Sequence, residues 1–319
     1  MKIAVIGYGK SGKTLLPTLL ADSEVSHVDV YDTDSRSFDS SVELSNRLLF
    51  HCKEFDFNEA YDLLVISSPD DTHGRILLKA ISEGVDTFVE KPAVYNASES
   101  EELRSLLSIP CRGKFTTNTI LRTTPFANYF RDNIFGGLLG EILYFEAKYL
   151  YGRWSKVTQG WRGKIPDYSV TLGGGIHMID LICFLVDDFN GTSRNFRFKS
   201  HEDESLQIND VGITLLSLSK GHAANISSVF ASPTQHERSL ECYGDRGWFQ
   251  LKGNSLTTSD NLSANSLDLK NIQHMDKGIL LKRFLEAKKS GWPKAAEQNF
   301  PSEEQVLNVV DFCIQNQSH

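Results

Sequence analysis

The stretch GYGKSGKT, residues 7–14, follows directly on an apolar run and fits two phosphate-binding patterns at once. Gly7, Gly9 and Gly12 form Gly-x-Gly-x-x-Gly, the turn that cradles a dinucleotide pyrophosphate. Gly7, Gly12, Lys13 and Thr14 form Gly-x-x-x-x-Gly-Lys-Thr, the loop that holds the phosphates of ATP or GTP. Both rely on a helix N-terminus whose free N–H groups face an anion. They differ in what must stand elsewhere. A P-loop needs an acidic residue closing another apolar strand, to hold magnesium. The best such strand, DLLVISSPDD, ends in Ser67, Ser68 and Pro69, and its aspartates come only after the proline. A dinucleotide turn needs an acidic residue about 20 positions on, where it bonds the adenosine ribose. VDVYD ends in Asp32, in that place. The dinucleotide reading therefore prevails. Gly7 permits the tight turn, Gly9 the close approach of the pyrophosphate and Gly12 the packing of helix on strand, with Lys10 and Ser11 opening the helix. Lys13 and Thr14 become incidental. A carboxylate at Asp32 repels a 2′-phosphate, which favours NAD over NADP; Arg36, nearby, reads as a solvated cation.

A second group of candidates lies in YGRWSKVTQGWRGK, residues 151–164. Indoles stack on sugar faces and guanidiniums grip phosphate or carboxylate in a forked geometry. Tyr151, Arg153, Trp154, Trp161 and Arg162 are thus expected either to wall a pocket for an anionic sugar derivative or to form an interface or a partly buried loop. His177 and Asp180 stand three residues apart, near one face of a helix; taken alone, such a pair is more often structural. His51, His201, His222, His236 and His274 show no metal-ligand spacing, and no metal is expected.

The elements that must carry these residues come in two styles. Residues 2–6, 27–31, 63–67 and 87–89 read as strands, and residues 10–20 and 74–83 as helices, Pro17 being an awkward residue in the first of them. Repeated strand-helix-strand units predict a doubly wound parallel sheet. After about residue 118 the chain turns to alternating, aromatic-rich segments such as EILYFEAKYL, VGITLLSLS and LECYGDRGWFQL, with a tight turn at residues 244–247. These predict an α+β domain with a large, mostly antiparallel open sheet, closed by helices at 279–289 and 302–316. The boundary falls near 118–123, giving domains of 1–118 and 119–319, and the terminal helices are candidates to pack back on the first domain.

Bulk composition agrees with two domains: 319 residues exceed the rough prior of about 150 per domain. A net charge of −8 argues against nucleic acid as the main partner, without excluding a local basic pocket. Five scattered cysteines predict reduced thiols in a cytoplasmic protein. No signal peptide is read at the N-terminus, and no apolar run approaches the ~20 residues of a membrane span.

The stretch VISSPDDTHGRILLKAISEGVDTFVEKPAV resembles the Gfo/Idh/MocA family of NAD(P)-dependent oxidoreductases, in which a strand ends in Ser/Thr-Pro, a histidine and a helix follow, and the next strand ends in Glu-Lys-Pro. Here those residues are Ser68, Pro69, His73, Glu90, Lys91 and Pro92. TTNTILR, with Asn118 and Arg122, resembles the family's entry into its second domain, and GGGIHMIDL resembles its Gly-x-His-x-x-Asp motif. The similarity runs along essentially the whole chain. It implies a Rossmann domain for the nicotinamide cofactor, held by Gly7, Gly9, Lys10, Ser11, Gly12, Asp32, Ser67, Ser68, Pro69, His73, Glu90, Lys91 and Asn118. It implies a second domain that supplies the substrate site and forms a homodimer or homotetramer through its sheet. Substrates of such enzymes are sugars, polyols and sugar nucleotides.

In that frame an alcohol must lose its proton as the hydride leaves. Lys91 and His177 are the catalytic candidates, and Asp180 is expected to orient the imidazole or bind a substrate hydroxyl, beside Arg122. One position departs from the family: Gly173 stands where many members carry aspartate, four residues before the histidine. Asp167 or Tyr168 are the candidates to replace it. The same departure sustains an alternative function, a cofactor-binding regulator or inactive subunit.

Overall fold

A computed structural model of the chain describes residues 1–38, 46–135, 137–166, 168–203, 206, 208–232, 235–259, 275–293 and 300–315. Asp167 and His274 therefore lie outside the described residues. The chain divides into two compact units, one made of Met1–Asn118 and Lys277–Leu307, the other of Thr119–Asp276 and Asn308–His319.

In the first unit six strands form one wholly parallel sheet: β1 (Lys2–Ile6), β2 (His27–Tyr31), β3 (Leu48–His51), β4 (Leu63–Ile66), β5 (Asp86–Val89) and β6 (Phe115–Thr117), in the order β3-β2-β1-β4-β5-β6. The strands are short apolar runs because a parallel sheet is buried on both faces. On one face Ile3, Val5, Val28, Val30, Leu63, Val65 and Phe88 pack against Leu15, Leu16 and Leu19 of α1 (Lys10–Leu20). Leu280, Leu281, Phe284 and Leu285 of α7 (Ile279–Lys289) complete that cluster. Helices α2 (His73–Ser82) and α3 (Ala97–Leu106) pack on one another, and α2 lies on β4 and β5. The strand order reverses between β1 and β4, and the crevice at the carboxyl ends of these strands is where a doubly wound fold binds its ligand.

The second unit is built on seven strands: β7 (Ile142–Leu150), β9 (Gly191–Phe198), β11 (Val211–Leu218), β12 (Ala223–Val229), β13 (Glu237–Gly244), β14 (Trp248–Lys252) and β15 (Ser255–Thr258). Their order is β15-β14-β13-β7-β12-β11-β9. Every neighbouring pair is antiparallel except β7 and β12. Tyr168–Ser169 (β8) and Ile208–Asn209 (β10) form a small separate ladder. Helices α4 (Pro125–Phe135) and α6 (Ile176–Val186) pack together, and α6 lies against β7. The register places Phe196, Phe198, Leu215, Tyr243 and Trp248 on one face of the sheet, where they stay exposed. A short helix α5 (Trp154–Thr158) lies in the loop after β7, and α8 (Glu303–Ile314) ends the described helices.

Candidate active site

The glycine loop connects β1 to α1. Gly7 has φ +90°, and a Cβ there would lie 2.5 Å from the backbone nitrogen of Ser68. A Cβ on Gly12 would lie 2.3 Å from the Gly7 carbonyl oxygen. Both glycines are thus required by the chain's own backbone. Gly9 is different: nothing lies within 4 Å of a Cβ built there. It is the N-cap of α1, no side chain caps that end, and no acidic residue stands in the first turn. The opening N–H groups of α1 are thus capped by no side chain, beside a glycine with open space where a side chain would stand. That is what a bound pyrophosphate requires, so the residues present fit a dinucleotide.

Asp32 follows β2. Its Oδ2 accepts the Tyr8 N–H at 2.7 Å and its Oδ1 accepts the Asp34 N–H at 2.8 Å. The carboxylate is thereby pinned to the glycine loop with lone pairs left for ribose hydroxyls. Arg36 forms a fork on Asp34, at 2.8 Å for both contacts, and is largely exposed. The P-loop pair is spent locally: Thr14 Oγ1 donates to the Lys10 carbonyl at 2.8 Å, and Lys13 Nζ lies 5.4 Å from the centre of the Tyr8 ring.

Ser67 Oγ donates to the Gly7 carbonyl at 2.6 Å, tying β4 to the glycine loop. Ser68 Oγ pairs with Thr72 Oγ1 at 2.6 Å, and the Pro69 carbonyl accepts Thr72 Oγ1 at 2.8 Å. His73, expected at the cofactor, lies in the interior of the first unit. It is fully buried, with Nδ1 2.8 Å from the Pro92 carbonyl and Nε2 2.9 Å from the Ser68 carbonyl. Each ring nitrogen faces a backbone carbonyl oxygen, and the one that carries the proton donates, so the imidazole sits between the Ser-Pro turn and the Glu-Lys-Pro turn. Lys91 is half-buried and its peptide bond to Pro92 is cis. Glu90 accepts Asn118 Nδ2 at 2.8 Å. Loss of hydration pushes the Glu90 carboxyl upward, against the opposing pull of Asn118, Lys91 and His73. Among the described residues, Asn118 Oδ1 is buried and accepts no hydrogen bond.

In the second unit a π-helical turn, Thr171–Gly175, runs straight into α6 and carries His177. Asp180, expected to orient the imidazole or bind a substrate hydroxyl, is paired with Arg122. Asp180 and Arg122 form a buried fork, with Nε at 2.9 Å and 3.1 Å from the two carboxylate oxygens and Nη2 at 2.6 Å from Oδ1. Their side chains are 1% and 7% exposed. Helical spacing suggested a shared face with His177, but three residues on a helix also span enough arc to turn the carboxylate inward. There burial pushes it upward and the Arg122 guanidinium, stacked over Phe184 and Phe189, opposes that shift. The two side chains satisfy one another in the interior of the second unit.

His177 stacks on Tyr149 of β7, ring centres 6.2 Å apart. Tyr149 also lies over Gly174, where a Cβ would fall 2.3 Å from its ring. At Gly173, the position without the family's aspartate, a Cβ would meet the Tyr168 hydroxyl. Tyr168 is fully buried, and its oxygen accepts Arg162 Nε at 3.2 Å. Of the 151–164 loop, Tyr151 stacks near Tyr149, Arg153 lies over Tyr151, and Trp161 meets Tyr168 edge-on with Arg162 over its ring. Trp154 is separate from this group and packs on His201. Two residues absent from the sequence-based set join it: His236, edge-on to both tyrosines, and Arg238, opposite Tyr149 in the β13–β7 register. Nothing in QHERSLECYG singles them out, because only strand register brings them to β7. Among the described residues, no group of three or more His, Cys, Asp or Glu side chains could hold a metal ion, and no helix is long and apolar enough to cross a membrane.

Residues 1–108 match the family model described as an oxidoreductase family, NAD-binding Rossmann fold, and residues 131–310 match its C-terminal alpha/beta domain. The chain is 25% identical over 149 residues to the uncharacterized oxidoreductase YdgJ of Escherichia coli (strain K12), 47% of this chain and 43% of that protein. It is 25% identical over 221 residues to glucose-6-phosphate 3-dehydrogenase of Bacillus subtilis (strain 168), 66% of this chain and 62% of that protein. The matched stretches thus span under two thirds of both relatives. The fold is similar to that of the WlbA dehydrogenase from Bordetella pertussis, solved with NADH and UDP-GlcNAcA: TM-score 0.80, 14% identity, 97% of this chain and 92% of that one.

Proposed function

The chain belongs to the Gfo/Idh/MocA family of oxidoreductases, and on that premise we propose that it transfers a hydride between NAD and a secondary alcohol or ketone of a sugar, sugar nucleotide or polyol. The observation that carries this reading is the glycine loop: Gly9 is open, the α1 N-terminus is uncapped, and Asp32 is fastened to the Tyr8 N–H. When bound, NAD supplies the hydride acceptor, the difficult part of the chemistry. The chain's own residues bind and orient it and handle the proton. Gly7, Gly9, Gly12 and the first turn of α1 hold the pyrophosphate, Asp32 the adenosine ribose, and Glu90 and Asn118 the nicotinamide end. Lys91 and His177 are the proton-handling side chains. His177 is placed to accept the alcohol proton, and Lys91 to stabilise the developing alkoxide.

The exposed face bearing Phe196, Phe198, Leu215, Tyr243 and Trp248 favours a homo-oligomer formed through the second-unit sheet; light scattering on the purified chain reads its state directly.

Calorimetric titration with NAD, NADP and magnesium ATP tests the cofactor. Strong NAD binding is expected, and ATP binding without NAD binding would overturn the reading. Absorbance of reduced nicotinamide, followed over aldoses, polyols, sugar phosphates and sugar nucleotides, tests the reaction; Lys91→Ala and His177→Ala are expected to abolish any turnover found. Gly173 supports a second reading, a cofactor-binding subunit without turnover, whose signature is NAD binding with no activity on any member of that panel.

A further inference from the structure

The His177 side of the second unit carries two arginines, Arg153 and Arg238, that no carboxylate neutralises among the described residues. Arg238 is half-buried, and among the described residues its side chain donates Nη1 to Met275 Sδ at 3.4 Å, a weak acceptor. The charges acting on it are the Tyr149 phenol and a second guanidinium, Arg153; burial, the larger effect, and Arg153 both hold Arg238 below its ordinary basicity. Arg153 lies with its Cζ 5.8 Å from the centre of the Tyr151 ring. Among the described residues, neither arginine is in an ion pair with a carboxylate.

The two guanidiniums converge on one aromatic group. Tyr149 and Tyr151 stack at 6.3 Å, and His236 meets their edges at 5.3 Å and 5.6 Å. His236 is held low by burial, then by Arg238 and Arg153. Tyr149 is pushed up to about 12 by burial, although Arg238, Arg162 and Arg153 all favour its ionised form. Three guanidiniums thus act on a phenol that stays neutral, and that phenol is stacked on His177. Like charges such as Arg153 and Arg238, held close with no carboxylate paired to either among the described residues, are costly, the more so where water is partly excluded.

We propose that this cluster is a subsite for a phosphoryl group carried by the sugar, resting on the oxidoreductase reading for the reaction that occurs beside it. A phosphoryl group has nearly two negative charges and three acceptor oxygens. That matches two forked guanidiniums and an imidazole, whereas a carboxylate offers one charge and two oxygens. Arg153 and Arg238 bind the phosphoryl oxygens, Tyr149 and Tyr151 line the sugar's path to His177, and His236 gains its proton when the anion arrives.

Calorimetric titrations of the full chain with glucose 6-phosphate, UDP-glucose, glucuronate and glucose, each with and without NAD, test the proposal. Glucose 6-phosphate or UDP-glucose is expected to bind at least tenfold more tightly than glucose, more weakly at high salt. Whichever of the two binds more tightly separates a phosphomonoester from the pyrophosphate of a sugar nucleotide. Arg153→Ala, at an exposed position, and Arg238→Gln are each expected to lower that affinity about tenfold, the loss of one charge-assisted contact, leaving glucose unchanged. Equal binding of glucose 6-phosphate, UDP-glucose and glucose, a preference for glucuronate, or a phosphoryl preference unaltered in both variants would overturn the subsite. NAD titrated alone reports on the oxidoreductase reading, so its failure is distinguishable from failure of the subsite.

Discussion

A Cβ built on Gly173 falls 2.4 Å from the hydroxyl oxygen of Tyr168, so the phenol occupies the space where a side chain at 173 would begin. Tyr168 cannot retreat. It is fully buried, stacked on Phe230 at 5.9 Å and edge-on to Trp161 at 6.0 Å. Gly173→Ala is therefore expected to destabilise the fold by ~1–3 kcal/mol, the cost of overpacking. In a Tyr168→Ala background the same change is expected to cost under ~0.5 kcal/mol. Urea unfolding of the four proteins measures the coupling; additive effects would mean that the two residues do not share this space.

Gly7 and Gly9 separate a folding role from a binding role. Gly7→Ala puts a side chain at φ +90° and against the Ser68 backbone, and is expected to cost ~1–3 kcal/mol in stability. Gly9→Ala adds a Cβ that meets nothing within 4 Å, so stability is expected to fall by no more than ~1 kcal/mol, the loss of a glycine N-cap, while NAD affinity falls about tenfold or more as the pyrophosphate is pushed from the α1 N-terminus. Denaturation and NAD titration of both variants check the contrast.

The Arg122–Asp180 pair makes a stability prediction. Removing one partner strands a charge among Phe184, Phe189 and the body of α6, and such losses cost ~3–5 kcal/mol. Asp180→Ala is expected to lower the free energy of unfolding by that amount, and the Arg122→Met, Asp180→Leu double variant to recover most of it. A residue in contact with substrate would show the reverse, a normal midpoint with a raised KM.

Asp29, buried in β2, gives a pH dependence. Burial raises its carboxyl, but hydrogen bonds from His51 Nε2 at 2.6 Å and the Tyr61 hydroxyl at 3.1 Å, with the charges of His27 and His51, outweigh that, and the net shift is downward. A folded value below the unfolded ~3.9 means stability that is fully present above about pH 4 and lost as pH falls through the folded value. Asp29→Asn is expected to cost ~1–2 kcal/mol at pH 7, and the gap from the natural chain to close below about pH 4. A gap of constant size down to pH 3 would contradict the assignment.

Much of this was legible in the one-dimensional pattern. The glycine turn, Asp32 at the end of β2 and the parallel sheet follow from local rules: backbone freedom at glycine, burial of short apolar runs, and the reach of one carboxylate across adjacent strands. The change of style after residue 118 announced the second sheet in the same way, since period-two alternation is a local property of a strand that is wet on one face.

What the pattern did not hold is partnership. His73 and Asp180 have the residue types and motif positions of a site, yet a backbone carbonyl pair claims one and Arg122 the other. Arg238 and His236 have no motif at all and join the His177 group because β13 pairs with β7 in one register. Tyr168 takes the space over Gly173 because its short strand folds back across the π-helical turn. The amino-acid order by itself determined the folds of both units and the phosphate-binding turn, because those depend on neighbours a few residues apart. Which polar groups are consumed inside the protein and which are left for a ligand was decided only by the tertiary structure, because a side chain's free valence depends on distant chain brought within about 3 Å of it.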